Sequence, residues 1–313
     1  MKTGNENRLL LLIRDGRPMT LRQQLRLTVE LSIPSIVAQI SAIAMQYIDA
    51  AMVGRLGADA AASIGLVSTT TWLFWGTCSA AATGFSVQVA HHVGAARLGE
   101  ARTVLRQAIL SVAVFSLMLA GIGALISPHL PVWLGGTEEI NGGASAYFLI
   151  FALSLPLLQL NFLAGSMLRC SGNMRVPGML NVLMCALDVV FNFFLIFPTR
   201  PVEWFGLSFS MPGAGLGVTG AALGTALAEL VVAGLMLWYL VTRSGELRIV
   251  GERGSFRPTW ATVRKALHIS LPMGVEHVVI CGAQIMTTVI VAPLGVFAIA
   301  ANSFGITAES LCY

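Results

Sequence analysis

The sequence predicts an all-α protein that crosses a lipid bilayer seven to eight times. Three observations carry this. Hydrophobic residues make up 56% of the 313 positions and charged residues only 11%, whereas a water-exposed surface needs about 25% charged residues. Apolar runs of about 20 residues recur, the length that spans a hydrocarbon core of roughly 30 Å. Lys and Arg are confined to alternate connecting segments, as the positive-inside rule requires of a multi-pass chain. In lipid, such runs must be helices, because an open strand would leave its backbone unpaired.

Spans are expected near 29–53, 64–90, 106–126, 145–168, 176–197, 216–242 and 266–292, with an eighth beginning near 297. The segment ahead of the first span holds Lys2, Arg8, Arg14, Arg17, Arg22 and Arg26, and the one ahead of the seventh holds Arg243, Arg248, Arg253, Arg257, Arg264 and Lys265. Arg97, Arg102, Arg106, Arg169 and Arg175 fall on the same side, against only Arg55 and Arg200 on the other. This places the N-terminus in the cytoplasm; the expected location is a plasma (bacterial inner) membrane.

A shift of 238 positions lays the first span on the seventh. Ser32, Pro34, Val37, Gln46, Val53, Leu56, Gly57, Ala60 and Ala62 then match Ser270, Pro272, Val275, Gln284, Val291, Leu294, Gly295, Ala298 and Ala300. Six spans separate the copies, so they run in the same direction, a parallel repeat of the kind transporters use. The expected organisation is a cytoplasmic segment at 1–27, a six-helix lobe at 28–242, a cytoplasmic inter-lobe loop at 243–265 and a partial second lobe at 266–313. Leu9 to Ile13 is too short for a signal-peptide core and reads as an interfacial lead-in.

Composition also excludes classes. The net charge is +4, but no basic stripe with interleaved aromatics suggests nucleic acid. Cys78, Cys170, Cys185, Cys281 and Cys312 form no CxxC pair and read as small apolar residues. There is no HExxH, and His91 and His92 are adjacent at a span end, so no enzyme site emerges. A seven-helix retinal-type receptor needs a mid-membrane lysine, but Lys2 and Lys265 lie at the cytoplasmic side.

The chemistry rests on acids at membrane depth. Asp49, Asp188, Glu229 and Glu276 have no Lys or Arg deep in a span to neutralise them. An intramembrane charge costs about 2.5–3.5 kcal/mol on insertion scales, so each must meet a cation, a proton or water. Asp188 and Asn192 are spaced i, i+4 and share a helix face. Counting from the span ends puts Asn192 level with Asp49, with Asp188 about 6 Å deeper at 1.5 Å per residue. These three form the expected site for a coupling cation or proton, with Glu276 as a second acid in the other half; Glu229 is weaker. Gln46, Asn161, Asn181, Met184 and Gln284 are candidate cavity residues. Pro34, Pro156 and Pro272 fall within spans and favour kinks or fixed packing. Gly213, Gly215, Gly217, Gly220 and Gly224 open the sixth span without a following lysine, which suits tight helix packing rather than a nucleotide loop.

Several segments resemble the multidrug and toxic compound extrusion (MATE) transporters. They are Ser32-Ile-Pro34 through Asp49-Ala-Ala-Met-Val-Gly-Arg-Leu-Gly57, Leu168-Arg-Cys-Ser-Gly172-Asn173 with Pro177, Asn192-Phe-Phe-Leu-Ile-Phe197, Gly213-Ala-Gly-Leu-Gly217 with Gly220-Ala-Ala, and Ala292-Pro-Leu-Gly295 with Ala300-Ala301. The resemblance spans residues 20–313. It implies twelve helices in two halves, of which this chain, C-terminally truncated, holds seven and part of an eighth. It also implies a monomer without cofactors that exports amphipathic, cationic organic compounds by antiport with Na+ or H+. Asp49 matches the family's first-helix acid. The family's fifth helix often shows Asn then Asp, or Asn then Asn, four apart; here the order is Asp188 then Asn192. Glu276 resembles a common Glu or Gln on the seventh helix. A lipid-linked oligosaccharide flippase of the same superfamily is the alternative, but it would call for basic residues in the central cavity.

Overall fold

The computed structural model describes residues 20–204, 207–251 and 254–309. The lead-in at Leu9 to Ile13, most of the 1–27 segment and Cys312 lie outside them. Eight long helices follow in order: α1 Leu21–Gly54, α2 Ala58–Gly94, α3 Leu98–Ile126, α4 Glu138–Cys170, α5 Arg175–Ile196, α6 Gly217–Thr242, α7 Trp260–Val291 and α8 Val296–Glu309. Each holds one expected span. A capping box starts α1: Thr20 Oγ1 accepts from Gln23 N, and Gln23 Oε1 accepts from Thr20 N, satisfying two otherwise orphaned donors. Pro34, Pro156 and Pro272 all lie inside continuous helices. Gly178 of α5 sits against Pro34, so this proline marks a packing contact.

Among the described residues, six helices are long and apolar enough to cross a membrane: α1 and α3 to α7. The expected second span is absent from that set, although α2 has 37 residues. The reason is its position. It packs against α3, α4, α7 and α8, and its buried face carries Ser63, Thr69, Thr70, Ser86 and Gln88. A helix ringed by protein need not be as apolar as one facing lipid. By contrast, α3 exposes Val114, Leu117, Met118, Ile122 and Leu125 at helical spacing. That face suits a hydrocarbon solvent and not water.

Close approach along α2 depends on glycine. A Cβ on Gly84 would collide with Ser270 Oγ and lie 2.5 Å from the Ala266 carbonyl of α7, and one on Gly76 would lie 2.8 Å from the His277 ring. A Cβ on Gly65 would lie 2.6 Å from Ser303 of α8. Small residues replace hydrophobic driving force in lipid by permitting backbone contact.

The parallel repeat is written into the backbone. Gly57, between α1 and α2, has φ 116° and ψ 173°. Gly295, its match between α7 and α8, has φ 103° and ψ 173°. That region is open essentially to glycine alone, so both copies turn through the same uncommon conformation.

One departure from an all-helical chain lies between α5 and α6. Strands β1 (Pro198–Trp204) and β2 (Leu207–Ala214) pair antiparallel, with a register shift between Pro198 and Arg200. Proline at 198, 201 and 212 argues against strands within a sheet, but an isolated hairpin outside the spans has free edges that tolerate it. Its base is closed by Gly215 N donating to Phe197 O and Leu216 N to Leu195 O, at 3.0 and 2.9 Å. This sets α6 directly beside α5.

At the opposite end, which carries the arginine-rich segments, the first part of the loop after α6 is packed against the bundle. Leu247 and Ile249 are buried in a core with Val104, Leu105, Met167 and Leu240. Arg102 Nε donates to Glu246 O, and Gln107 Oε1 accepts from Thr259 at the start of α7. Cys78 and Cys281 are buried, and Cys170 and Cys185 are half-buried free thiols.

Candidate functional site

The hairpin and two glycines bring α5 and α6 into contact near the hairpin end of the membrane. A Cβ on Gly220 would lie 2.5 Å from the Leu195 carbonyl, and one on Gly224 would collide with Asn192 Oδ1. Tight packing is thus what the glycine series at 213–224 does. It presses α6 onto Asn192, a polar position of α5 that faces α1.

There the predicted juxtaposition is observed. Asn192 Nδ2 donates to Asp49 Oδ1 on α1 at 2.9 Å and to Asp188 Oδ2 one turn away at 3.0 Å. Asp188 and Asn192 are buried, at 0% and 1% exposure. Thr225 of α6 lies beside Asp188. Asp188 Oδ1 and Asn192 Oδ1 are buried without a hydrogen-bond partner among the described residues. Buried oxygens normally have one; Asn192 Oδ1 is packed against Gly224 of α6.

Asp49 and Asn192 open onto a cavity of about 200 Å³. Gln46, one turn along α1, lines it as expected, and among the described residues no Lys or Arg does. Sequence reasoning did not identify Tyr147, Ser68, Trp72, Thr225, Ser303 or Phe304, which also line it. Neutral polar and aromatic residues inside apolar spans carry no signal of which way they face. In the repeat, Asp49 corresponds to Thr287, so the acid stands in one copy only, while Gln46 and Gln284 are paired.

A second polar contact lies apart from this cavity. Asn161 Nδ2 of α4 donates to Glu229 Oε1 of α6 at 2.8 Å and reaches Met184 Sδ of α5 at 3.8 Å. Glu229 is buried at 4% exposure. Asn161 and Met184, expected at a cavity, are thus brought together around an acid given little weight in the sequence. Asn181 is half-buried and is not among the residues lining the Asp49 cavity.

Glu276 is not brought to Asp49. The face of α7 that meets α2 carries Ser270 and His277, which abut Gly84 and Gly76, and the buried Cys281 and Thr288. Glu276 precedes His277 by one residue, a rotation of about 100°, and is exposed. Gln284 falls on the α2-facing side and is half-buried, outside the Asp49 cavity.

Comparison with known proteins agrees with this architecture. Relatives include probable multidrug resistance proteins NorM of Neisseria meningitidis serogroup A (23% identical over 295 residues, 93% of this chain and 61% of the relative) and of Thermotoga maritima (23% over 285 residues, 91% and 58%). An FAD transporter of Shewanella oneidensis is 23% identical over 291 residues, covering 91% and 60%. The chain therefore spans about three fifths of the length of these relatives. Among solved structures, the MATE multidrug transporter DinF-BH superposes with a TM-score of 0.74 at 20% identity, covering 90% of this chain and 59% of that one. The inward-facing conformation of a multidrug resistance MATE family transporter gives 0.72 at 18% identity, covering 88% and 60%. The MatE family model matches residues 34–194, from Pro34 of α1 past Asn192 of α5, and so takes in all three members of the amide-bridged cluster: this chain is an integral membrane protein of the MatE family.

Proposed function

We propose that the protein serves multidrug efflux, exporting amphipathic, cationic organic compounds by antiport, with the coupling cation held by Asp49, Asp188 and Asn192. The observation that carries this reading is the single Asn192 amide shared by two carboxyl groups, beside two unpartnered buried oxygens. In a low-dielectric slab, neighbouring carboxylates without a basic partner require a bound cation or proton. The donors are all oxygen, which suits Na+, and the carboxyls equally suit H+. The cavity beside Asp49 offers Trp72, Phe304 and Tyr147, aromatic surface suited to planar cations. Cation entry would favour the conformation in which α1, α5 and α6 are held together, and this bias would be the coupling. The names of the NorM relatives and the fold likeness to MATE structures support the reading.

The test is dye efflux and drug resistance in cells stripped of their own pumps. Asp49→Asn and Asp188→Asn should each abolish export driven by an imposed Na+ or proton gradient. Normal export by both variants overturns the assignment.

A further inference from the structure

At the arginine-rich end of the bundle a cleft of about 880 Å³ opens between the last turns of α2 and the first turns of α7. Its charge is one-sided. Arg264, Lys265 and His268 of α7 and His91 and His92 of α2 line it, and among the described residues no Asp or Glu does. Arg264 and His268 are spaced i, i+4 and share a helix face, Lys265 is turned from Arg264 by about 100°, and all three are exposed. Among the described residues none of them makes an ion pair. His92 Nδ1 meets Glu100 Oε2 at 3.0 Å outside the lining, and Arg97 approaches the same carboxylate at 3.9 Å.

The floor is built, not incidental. Gln88 is buried, and its Nε2 donates to Gly84 O of its own helix at 3.1 Å and to Thr262 O of α7 at 3.2 Å. This fixes the spacing of the two basic walls. The cleft also has an apolar side: Leu267 and Leu271 line it. From Leu271 the exposed Val275 and Val278 continue along α7 at i, i+4 and i+7. Exposed Trp260 stands one residue before the lining begins, where interfacial tryptophan marks headgroup depth.

We propose that this cleft binds an anionic phospholipid, with its phosphate facing Arg264, Lys265 and His268 and an acyl chain lying along Leu271, Val275 and Val278. Phosphate is the shared chemistry of a lipid headgroup and of a soluble phosphate ester. The apolar track leading from the charges along the membrane helix favours the lipid. Basic pockets between membrane helices are established lipid-headgroup sites. The site bridges α2 of the first repeat and α7 of the second, so occupancy would bear on how the two repeats are held. None of this depends on the coupling role proposed for Asp49.

The experiment is native mass spectrometry of the purified chain with phosphatidylglycerol, cardiolipin or phosphatidylcholine. Arg264→Gln/Lys265→Gln is compared with Arg243→Gln/Arg248→Gln, which removes two charges at the same end outside the cleft. Retained anionic lipid should fall about tenfold or more in the first variant and stay within twofold in the second, with little phosphatidylcholine bound by either. Equal loss in both variants, or none in the first, overturns the proposal. Displacement of the lipid by millimolar inorganic phosphate does so too, because it would identify a soluble-phosphate site. In vesicles, a photoactivatable phosphatidylglycerol should label the 260–278 stretch of the protein. Absence of labelling there overturns the proposal by showing the cleft covered by protein.

Discussion

Asn192 and Asp49, 143 positions apart in the chain, are joined by a 2.9 Å hydrogen bond in which the amide donates to the carboxylate. The same nitrogen holds Asp188 at 3.0 Å, so one side chain arranges both acids. Replacing it by Ala leaves two carboxyl groups sharing a low-dielectric space without the amide that bridges them. Asn192→Ala should destabilise the protein by about 1–3 kcal/mol, read as a lowered thermal midpoint in detergent. An unchanged midpoint would mean that the amide does not organise the cluster.

If the cluster holds the coupling cation, the wild-type protein should be stabilised by that cation and Asp188→Asn should not. A ligand at 100 times its Kd adds about 2.7 kcal/mol. Titrating NaCl against choline chloride, and separately lowering pH at constant salt, distinguishes the two ions by the shift in thermal midpoint. A response retained in Asp188→Asn places the ion elsewhere.

Gly224 permits α6 to pack on Asn192, since a Cβ there would collide with Asn192 Oδ1. Gly→Ala within a helix ordinarily stabilises by about 0.5–1 kcal/mol. At Gly224 the sign should reverse, costing about 1–3 kcal/mol and export activity together. Gly234→Ala on the same helix, where a Cβ would meet nothing within 4 Å, is the control and should be neutral or stabilising.

The Asn161–Glu229 contact joins α4 to α6 at 2.8 Å. Asn161→Leu strands a buried carboxyl group and should cost about 3 kcal/mol. Adding Glu229→Leu should recover much of that, because replacing both partners removes the stranded group. A double-mutant cycle measured by thermal unfolding checks it; additive losses would show that the two side chains do not depend on each other.

Gly84 lies against Ser270 and the Ala266 carbonyl of α7. Gly84→Val should separate α2 from α7 and raise protease cleavage in the 243–259 loop, whose end is tied to α3 through Gln107 and Thr259. Gly94→Val, where a Cβ would meet nothing within 4 Å, should leave cleavage unchanged.

Hydropathy and length placed seven helices and the start of an eighth, because a bilayer makes span length a physical requirement. The 238-residue repeat was equally legible, and its Leu-Gly turn reappears as two glycines with matching positive φ. Depth could be counted too, since rise per residue is constant. Asp49 and Asn192 were therefore expected at one level, and they meet there.

Azimuth could not be counted. In a soluble helix the apolar stripe tells which side faces the core. In these spans lipid and core are equally apolar, so the stripe is erased. Asp49 faces Asn192, Glu229 turns to Asn161 and Glu276 stands exposed, and only tertiary packing decides among them. The same blindness hid the central position of α2, whose polar and glycine residues lower its hydropathy because protein surrounds it. The hairpin at 198–214 escaped for a different reason: its prolines spoke against strands, and only the closure between α5 and α6 pairs them.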